Sequence, residues 1–273
     1  MCYTYAESSG HLDTRPNQRV YMSKLIDRLT QTAETVATPM GFGATKRASV
    51  RLKMVLIARV EPADNTAPMA DYVSSADAVI TTQINTGKDI ARSLPDTVWG
   101  LWREEKGRQP IKGLVEAGAD FAVLPLDSEL GLAGTEKMGK ILLVEPSLSE
   151  GLVGTINELP ADAVLLADDQ GERDAVTWHH LMLYQRFGDL LSRPLLVTVP
   201  VSVNGDELKA LWKAGVDGVV VAVKTTKQAE KLEALRQIID NSDFAARPRK
   251  KVTALLPRIR EEQTAAPDVE EEE

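Results

Sequence analysis

The chain has 273 residues, a formal net charge of -8 and a single cysteine, Cys2. That acidic balance argues against nucleic-acid binding, which needs an excess of phosphate-neutralising Lys and Arg, and one cysteine excludes an internal disulfide framework or a cysteine-based zinc cluster. No run approaches the roughly 18 apolar residues of a membrane span and the N-terminus lacks a signal-peptide core, so the sequence reads as that of a cytoplasmic protein.

Residues 1–21 are polar and unpatterned and are predicted to be a disordered leader, with Met22 as an alternative start. An amphipathic helix is predicted from Met22 to about residue 37, with Leu25, Ile26, Leu29 and Val36 near one face. Eight apolar runs follow: 54–60, 77–81, 97–102, 120–124, 140–144, 162–167, 195–199 and 217–223. Helix-like sequence separates them, the longest stretch lying at about 174–192 and the last at 228–239. Strands alternating with helices imply parallel βαβ units, and eight of them imply an α/β fold, a (β/α)8 TIM barrel spanning 22–242. The helix from Met22 is predicted to close the barrel's lower mouth. Beyond Ser242, basic residues from Arg247 to Arg260 flank the apolar run Val252 to Leu256, and the chain ends in four glutamates. Residues 243–273 therefore read as a charged, largely disordered C-terminal extension, a candidate for contact with a protein partner.

One phrase recurs before alternate strands: Asp77, Asp120, Asp162 and Asp217 each precede an aliphatic run. These residues fall on the rim where strands begin, where Asp suits a tight helix-to-strand turn by bonding nearby backbone amides. Active sites of such barrels form at the other rim. There Arg59 and Glu61 end strand one, Arg103 and Glu104 follow strand three, Glu145 strand five, Asp168 and Asp169 strand six, and Lys224 strand eight. Neighbouring parallel strands lie about 4.8 Å apart, so Glu145 and Asp168 or Asp169 can share one hard cation, Mg²⁺ or Mn²⁺. Such an ion can hold a keto acid and stabilise a developing enolate, with Arg103 as the catalytic residue facing the substrate carboxylate or the developing charge. Strand six carries no lysine for a Schiff base. The turns after strands seven and eight lack paired glycines, so no flavin or nucleotide cofactor is expected. His179 and His180 are adjacent in the sixth helix and are expected on its surface.

Trp102-Arg103-Glu104-Glu105, the run Gln109 to Asp120, Val123-Leu124-Pro125-Leu126 and Leu142-Leu143-Val144-Glu145 together resemble the metal-dependent class II keto-acid aldolase and citrate lyase β-subunit superfamily. The resemblance implies a pyruvate-type enolate, with Glu145 and Asp168 or Asp169 as metal carboxylates. Where those aldolases place a histidine base after strand two, this chain reads Thr81-Thr82-Gln83-Ile84-Asn85, and Gln83 is assigned with Arg103 to substrate binding. The expected function is a divergent metal-dependent carbon-carbon lyase acting on a small carboxylate, in a monomer or a homo-oligomer. The alternative is a catalytically degenerate barrel serving as a binding or assembly module.

Overall fold

The computed structural model describes residues 23–33, 53–60, 73–83, 96–103, 115–130, 138–167 and 175–245, with Asn85, Lys88, Asp89, Arg92 and Arg247. The strands are β1 Val55–Val60, β2 Ala78–Thr81, β3 Val98–Trp102, β4 Phe121–Pro125, β5 Gly139–Val144, β6 Ala163–Leu166, β7 Leu195–Val199 and β8 Gly218–Val223. They form a closed parallel barrel in chain order, with β8 pairing onto β1. The described helices are α1 Lys24–Ala33, α2 Glu150–Thr155 with a 3-10 turn at Ile156–Glu158, α3 Trp178–Leu190, α4 Gly205–Lys213 and α5 Thr226–Asn241. This is the (β/α)8 architecture the sequence predicts. No helix among the described residues is long and apolar enough to cross a membrane.

The near-continuous hydrophobicity of the strands follows from burial on both faces. Alternate side chains form two cores. Val55, Ile57, Ala78, Ile80, Phe121, Val123, Ile141, Leu165, Leu196 and Val220 fill the barrel interior. Their neighbours, such as Leu56, Val79, Trp99, Leu124, Val197 and Val221, pack outward with helix residues including Tyr184, Phe187, Leu211, Leu235 and Ile239. The interior is filled by matching large residues to small ones. A Cβ at Gly100 would lie 2.4 Å from the Phe121 ring, so glycine on β3 is what admits this phenylalanine on β4.

Helix α1 closes the lower end, as predicted, because Leu25, Ile26 and Leu29 belong to the interior cluster. Its orientation is fixed from below by Asp120. The Lys24 N–H donates to Asp120 Oδ1 (2.9 Å), and the Leu25 N–H and Ser23 hydroxyl donate to Oδ2 (3.1 and 2.5 Å). A carboxylate there takes up donors that a helix's first turn leaves without partners, and it complements the helix dipole.

The other three aspartates of the repeated phrase share a different geometry. The Leu56 N–H donates to Asp77 Oδ2 (2.9 Å) while the Asp77 N–H donates to the Leu56 carbonyl (2.8 Å). Lys140 and Asp162 make the same reciprocal pair, as do Leu195 and Asp217, with every bond at 2.8 Å. Each carboxylate supplies the acceptor that an odd-numbered strand lacks near its first residue. The predicted structural role on the lower rim therefore holds for all four.

Contacts with the barrel continue past residue 242. Trp212 of α4 donates its indole N–H to the Ala245 carbonyl (2.8 Å) and meets the Phe244 ring at 5.0 Å between centroids. The Arg247 guanidinium lies 3.8 Å from the Trp212 ring centroid and donates to Asp217 Oδ1 at 2.5 Å. The start of the extension is thus part of the barrel's packing. The predicted leader, residues 34–37 of the first helix and residues 248–273 lie outside the described residues.

Candidate functional site at the barrel mouth

Side chains of a strand alternate between faces, so the interior cluster fixes which residues point into the upper mouth. On β1 the inward series Val55 and Ile57 continues to Arg59; on β3 Val98 and Gly100 continue to Trp102; on β7 Leu196 continues to Thr198. On β5 and β8 the same series, extended one position past the strand, reaches Glu145 and Lys224.

Arg59 and Trp102 meet across this opening. The guanidinium carbon of Arg59 lies 4.8 Å from the Trp102 ring centroid, within the range of a cation–π contact. Both side chains are half-buried, as are Thr198 and Ala222 at the same level. Arg59 pairs in register with Ala222 of β8, so Lys224 rises from the adjacent strand two residues further up. The mouth therefore presents an arginine held against an aromatic face, with a lysine beside it and Glu145 on the β5 side.

The predicted site residues divide. Glu145 takes an inward register position, is exposed, and accepts a hydrogen bond from the Ser147 hydroxyl at 3.1 Å. Arg103 and Gln83 take outward positions, continuing the Trp99–Leu101 and Val79–Thr81 series. The Arg103 N–H extends the ladder by donating to the Val123 carbonyl (3.0 Å), and its Nη1 is buried with no hydrogen-bond partner. The Gln83 N–H donates to Thr81 Oγ1 (3.2 Å) in a local turn. Asp168, Asp169, Glu61 and Glu104 lie outside the described residues. Among the described residues no three His, Cys, Asp or Glu side chains are placed to hold a metal ion. Arg59 was passed over in the sequence as one of several rim charges; its even spacing from Val55 and Ile57 was the signal that it faces inward.

The turns after β7 and β8 are filled by the chain itself. Asn204 Oδ1 accepts the Asp206 and Glu207 N–H groups at 3.0 Å each, and Glu207 returns to the Asn204 N–H at 2.8 Å. Gln228 Oε1 accepts the N–H groups of Lys224 and Thr225 (2.7 and 3.2 Å). Donors that could cradle a phosphate at these two helix starts are engaged, and Asp206 and Glu207 add negative charge at one of them.

The two histidines also separate. His179 is exposed, but His180 is buried at 7% exposure, correcting the surface assignment. Its Nδ1 accepts the Thr177 N–H (3.1 Å) and its own N–H donates to Thr177 Oγ1 (3.3 Å), closing a capping box at the start of α3.

No family model matches the chain, and no curated protein does. Solved structures do. A protein from Aquifex aeolicus VF5, from a structural study, is 13% identical with a TM-score of 0.56, over 80% of this chain and 99% of that one. A Mycobacterium tuberculosis tryptophan synthase is 16% identical with a TM-score of 0.54, over 71% and 93%. A mutant tryptophan synthase alpha-subunit from Pyrococcus furiosus is 13% identical with a TM-score of 0.50, over 68% and 96%. Two of these three likenesses are to tryptophan synthase and none is to a class II aldolase or citrate lyase β-subunit, which overturns the resemblance drawn from residues 102–145. The metal-dependent, aldolase-like lyase inferred from it falls with it. At such identities the likeness shows the fold alone: this chain is a (β/α)8 barrel.

Proposed function

We propose that the barrel binds a small organic carboxylate in its upper mouth, with Arg59 as the principal anion-binding group. The carrying observation is the placement of Arg59 at an inward position with its guanidinium 4.8 Å from the Trp102 ring centroid. An arginine packed on an aromatic face is oriented by it, and a planar guanidinium matches a carboxylate in shape and charge. Lys224 adds a second positive charge from the neighbouring strand. Carboxylate is favoured over phosphate because the helix starts after β7 and β8 are already capped. Titration calorimetry with malonate and succinate, with inorganic phosphate as the contrast, tests this. Saturable carboxylate binding that Arg59→Met weakens at least tenfold is expected; no saturable binding, or binding indifferent to Arg59→Met, rejects it.

A protein partner is the companion proposal, and exposed apolar side chains favour it. Trp178 and Met182, one turn apart on α3, are 83% and 71% exposed, and Leu130 after β4 is 83% exposed. Large apolar residues so open to water mark interaction surfaces more often than single scattered ones do. Like this chain's fold, that of the Pyrococcus furiosus neighbour is a barrel described as a subunit. Native mass measurement of the chain in its own cell extract, with and without Trp178→Asp and Met182→Asp, checks it: a partner lost in the double variant supports the surface, and the same masses for both chains exclude it.

A further inference from the structure

The charges that the described strands carry toward the upper mouth are sorted by side. Arg59 continues the inward series of β1, and Lys224 follows that of β8, the strand paired beside it. Glu145 follows the inward series of β5, after Ile141 and Leu143. In a ring of eight strands closed in chain order, β5 stands four strands from β1 in either direction, so Glu145 lies across the opening from Arg59. Asp127 adds to the acidic side. It is exposed in the turn after β4, and Pro125 pairs with Leu143, so Asp127 and Glu145 each stand two residues beyond one paired couple.

Between the two sides, the described inward side chains are uncharged. Trp102 and Leu143 rest on the interior cluster, with half-buried Thr198 and Ala222 at the level of Arg59. Glu145 accepts the Ser147 hydroxyl, a neutral donor, at 3.1 Å, and its carboxylate is exposed; a carboxylate has room for further donors. The opening is thus cationic at one edge, acidic at the other and mostly apolar between. A ligand complements such a mouth by carrying opposite charges at its two ends. A second carboxylate would instead be brought toward Glu145 and Asp127, and like charges brought together disfavour binding.

We infer that the ligand of this mouth is an ω-amino carboxylate, in which a methylene chain joins a carboxylate to an ammonium. The inference rests on the assignment of Arg59 to the carboxylate and supplies the other end. The ammonium donates to Glu145, Asp127 adds attraction, and the methylenes lie over Trp102 and Leu143. An ammonium brings three donors and a full charge, so its bonds to a carboxylate are of the strong, charge-assisted kind.

The test is titration calorimetry on the full chain with 4-aminobutyrate and 6-aminohexanoate, each against the acid without the amine, butyrate and hexanoate. The amine should tighten binding at least about tenfold, the contribution of one hydrogen bond to a charged group. In the double variant Glu145→Gln, Asp127→Asn the two members of each pair should bind alike, and in Arg59→Met all four ligands should weaken. Butyrate and hexanoate binding as tightly as their amino forms overturns the ω-amino assignment and leaves the carboxylate reading standing. An amine advantage that survives the double variant does the same. Saturable binding of none of the four removes both.

Discussion

Asp217, with 0% of its surface exposed, is met by Arg247 from thirty positions further along the chain, at 2.5 Å between Oδ1 and Nη2. The other carboxylate oxygen takes the Leu195 N–H. A carboxylate wholly removed from water is tolerated when such partners satisfy it, and removing one of them leaves buried charge uncompensated. Arg247→Ala is expected to destabilise the fold by about 3 kcal/mol, in the range found for broken buried pairs. Urea unfolding of the full-length variant measures it. Arg247→Lys should recover little, since an ammonium cannot lie flat on Trp212 while reaching Asp217 and two carbonyls. Unchanged stability in Arg247→Ala would show that the Arg247–Asp217 pair adds nothing to the barrel.

Asp120 holds α1 across almost a hundred residues of sequence. Asp120→Ala should cost about 1–2 kcal/mol, as lost helix caps do. It should also release the amides of Leu25 to Leu29 to hydrogen exchange well before the strands. Asp120→Asn, which keeps two acceptor sites on one oxygen, should restore part of the protection. Equal exchange of α1 in the parent and in Asp120→Ala would refute the cap.

Gly100 and Phe121 are coupled by sterics. Gly100→Ala sets a Cβ into the Phe121 ring at 2.4 Å, and overpacking of this kind costs about 1–3 kcal/mol. Phe121→Leu alone should also destabilise, through the space it leaves. The double variant should lose less than the sum of the two, by at least about 0.5 kcal/mol, the threshold for residues in contact. Strict additivity would mean the ring is free to move aside.

Asp240 carries a pH signature. Hydrogen bonds from Arg236 (2.7 Å) and Lys53 (2.8 Å) hold its carboxyl below the ordinary aspartate value, against a small opposing effect of burial. The folded state therefore binds its proton more weakly than the unfolded chain. The stabilisation is complete above the unfolded value near 3.8 and is lost as pH falls through the lower folded value. The pair is substantially exposed, so the effect is small and screened by salt. Arg236→Met should flatten the acid limb of melting temperature against pH below about 5, following the same linkage, and 1 M NaCl should flatten it in the parent. An acid limb identical in parent and variant would remove Asp240 from the account.

The barrel was legible because burial on both faces writes itself into composition, and the repeated aspartate phrase supplied the register. Strand limits shifted by a residue or so, as at Gly139 and Pro125, where pairing with a neighbour extends a strand past its apolar run. The site was less legible for a physical reason. Proximity in sequence to a strand end does not say which way a side chain points; Arg103 and Gln83 differ from Arg59 and Glu145 by parity, which only the interior cluster fixes. Short phrases such as Leu142 to Glu145 suggested an aldolase because buried parallel strands of many barrels share that composition. His180 was expected on the surface because the capping box is closed by an imidazole where Glu or Gln is usual.

The exchange between an odd strand and the aspartate that follows it has a consequence for how the ring is held together. Strands 1 and 2, 5 and 6, and 7 and 8 are each stapled at the foot by a carboxylate, whereas β3 and β4 are joined there only by the Asp120 backbone, its side chain having been lent to α1. Three of the eight junctions of the closed barrel thus carry a carboxylate clasp, and at the fourth place in the pattern, β3–β4, the carboxylate serves the helix that plugs the floor. One aspartate phrase thus does two jobs in one ring, fastening neighbouring strands at three places and fastening the floor to the wall at the fourth.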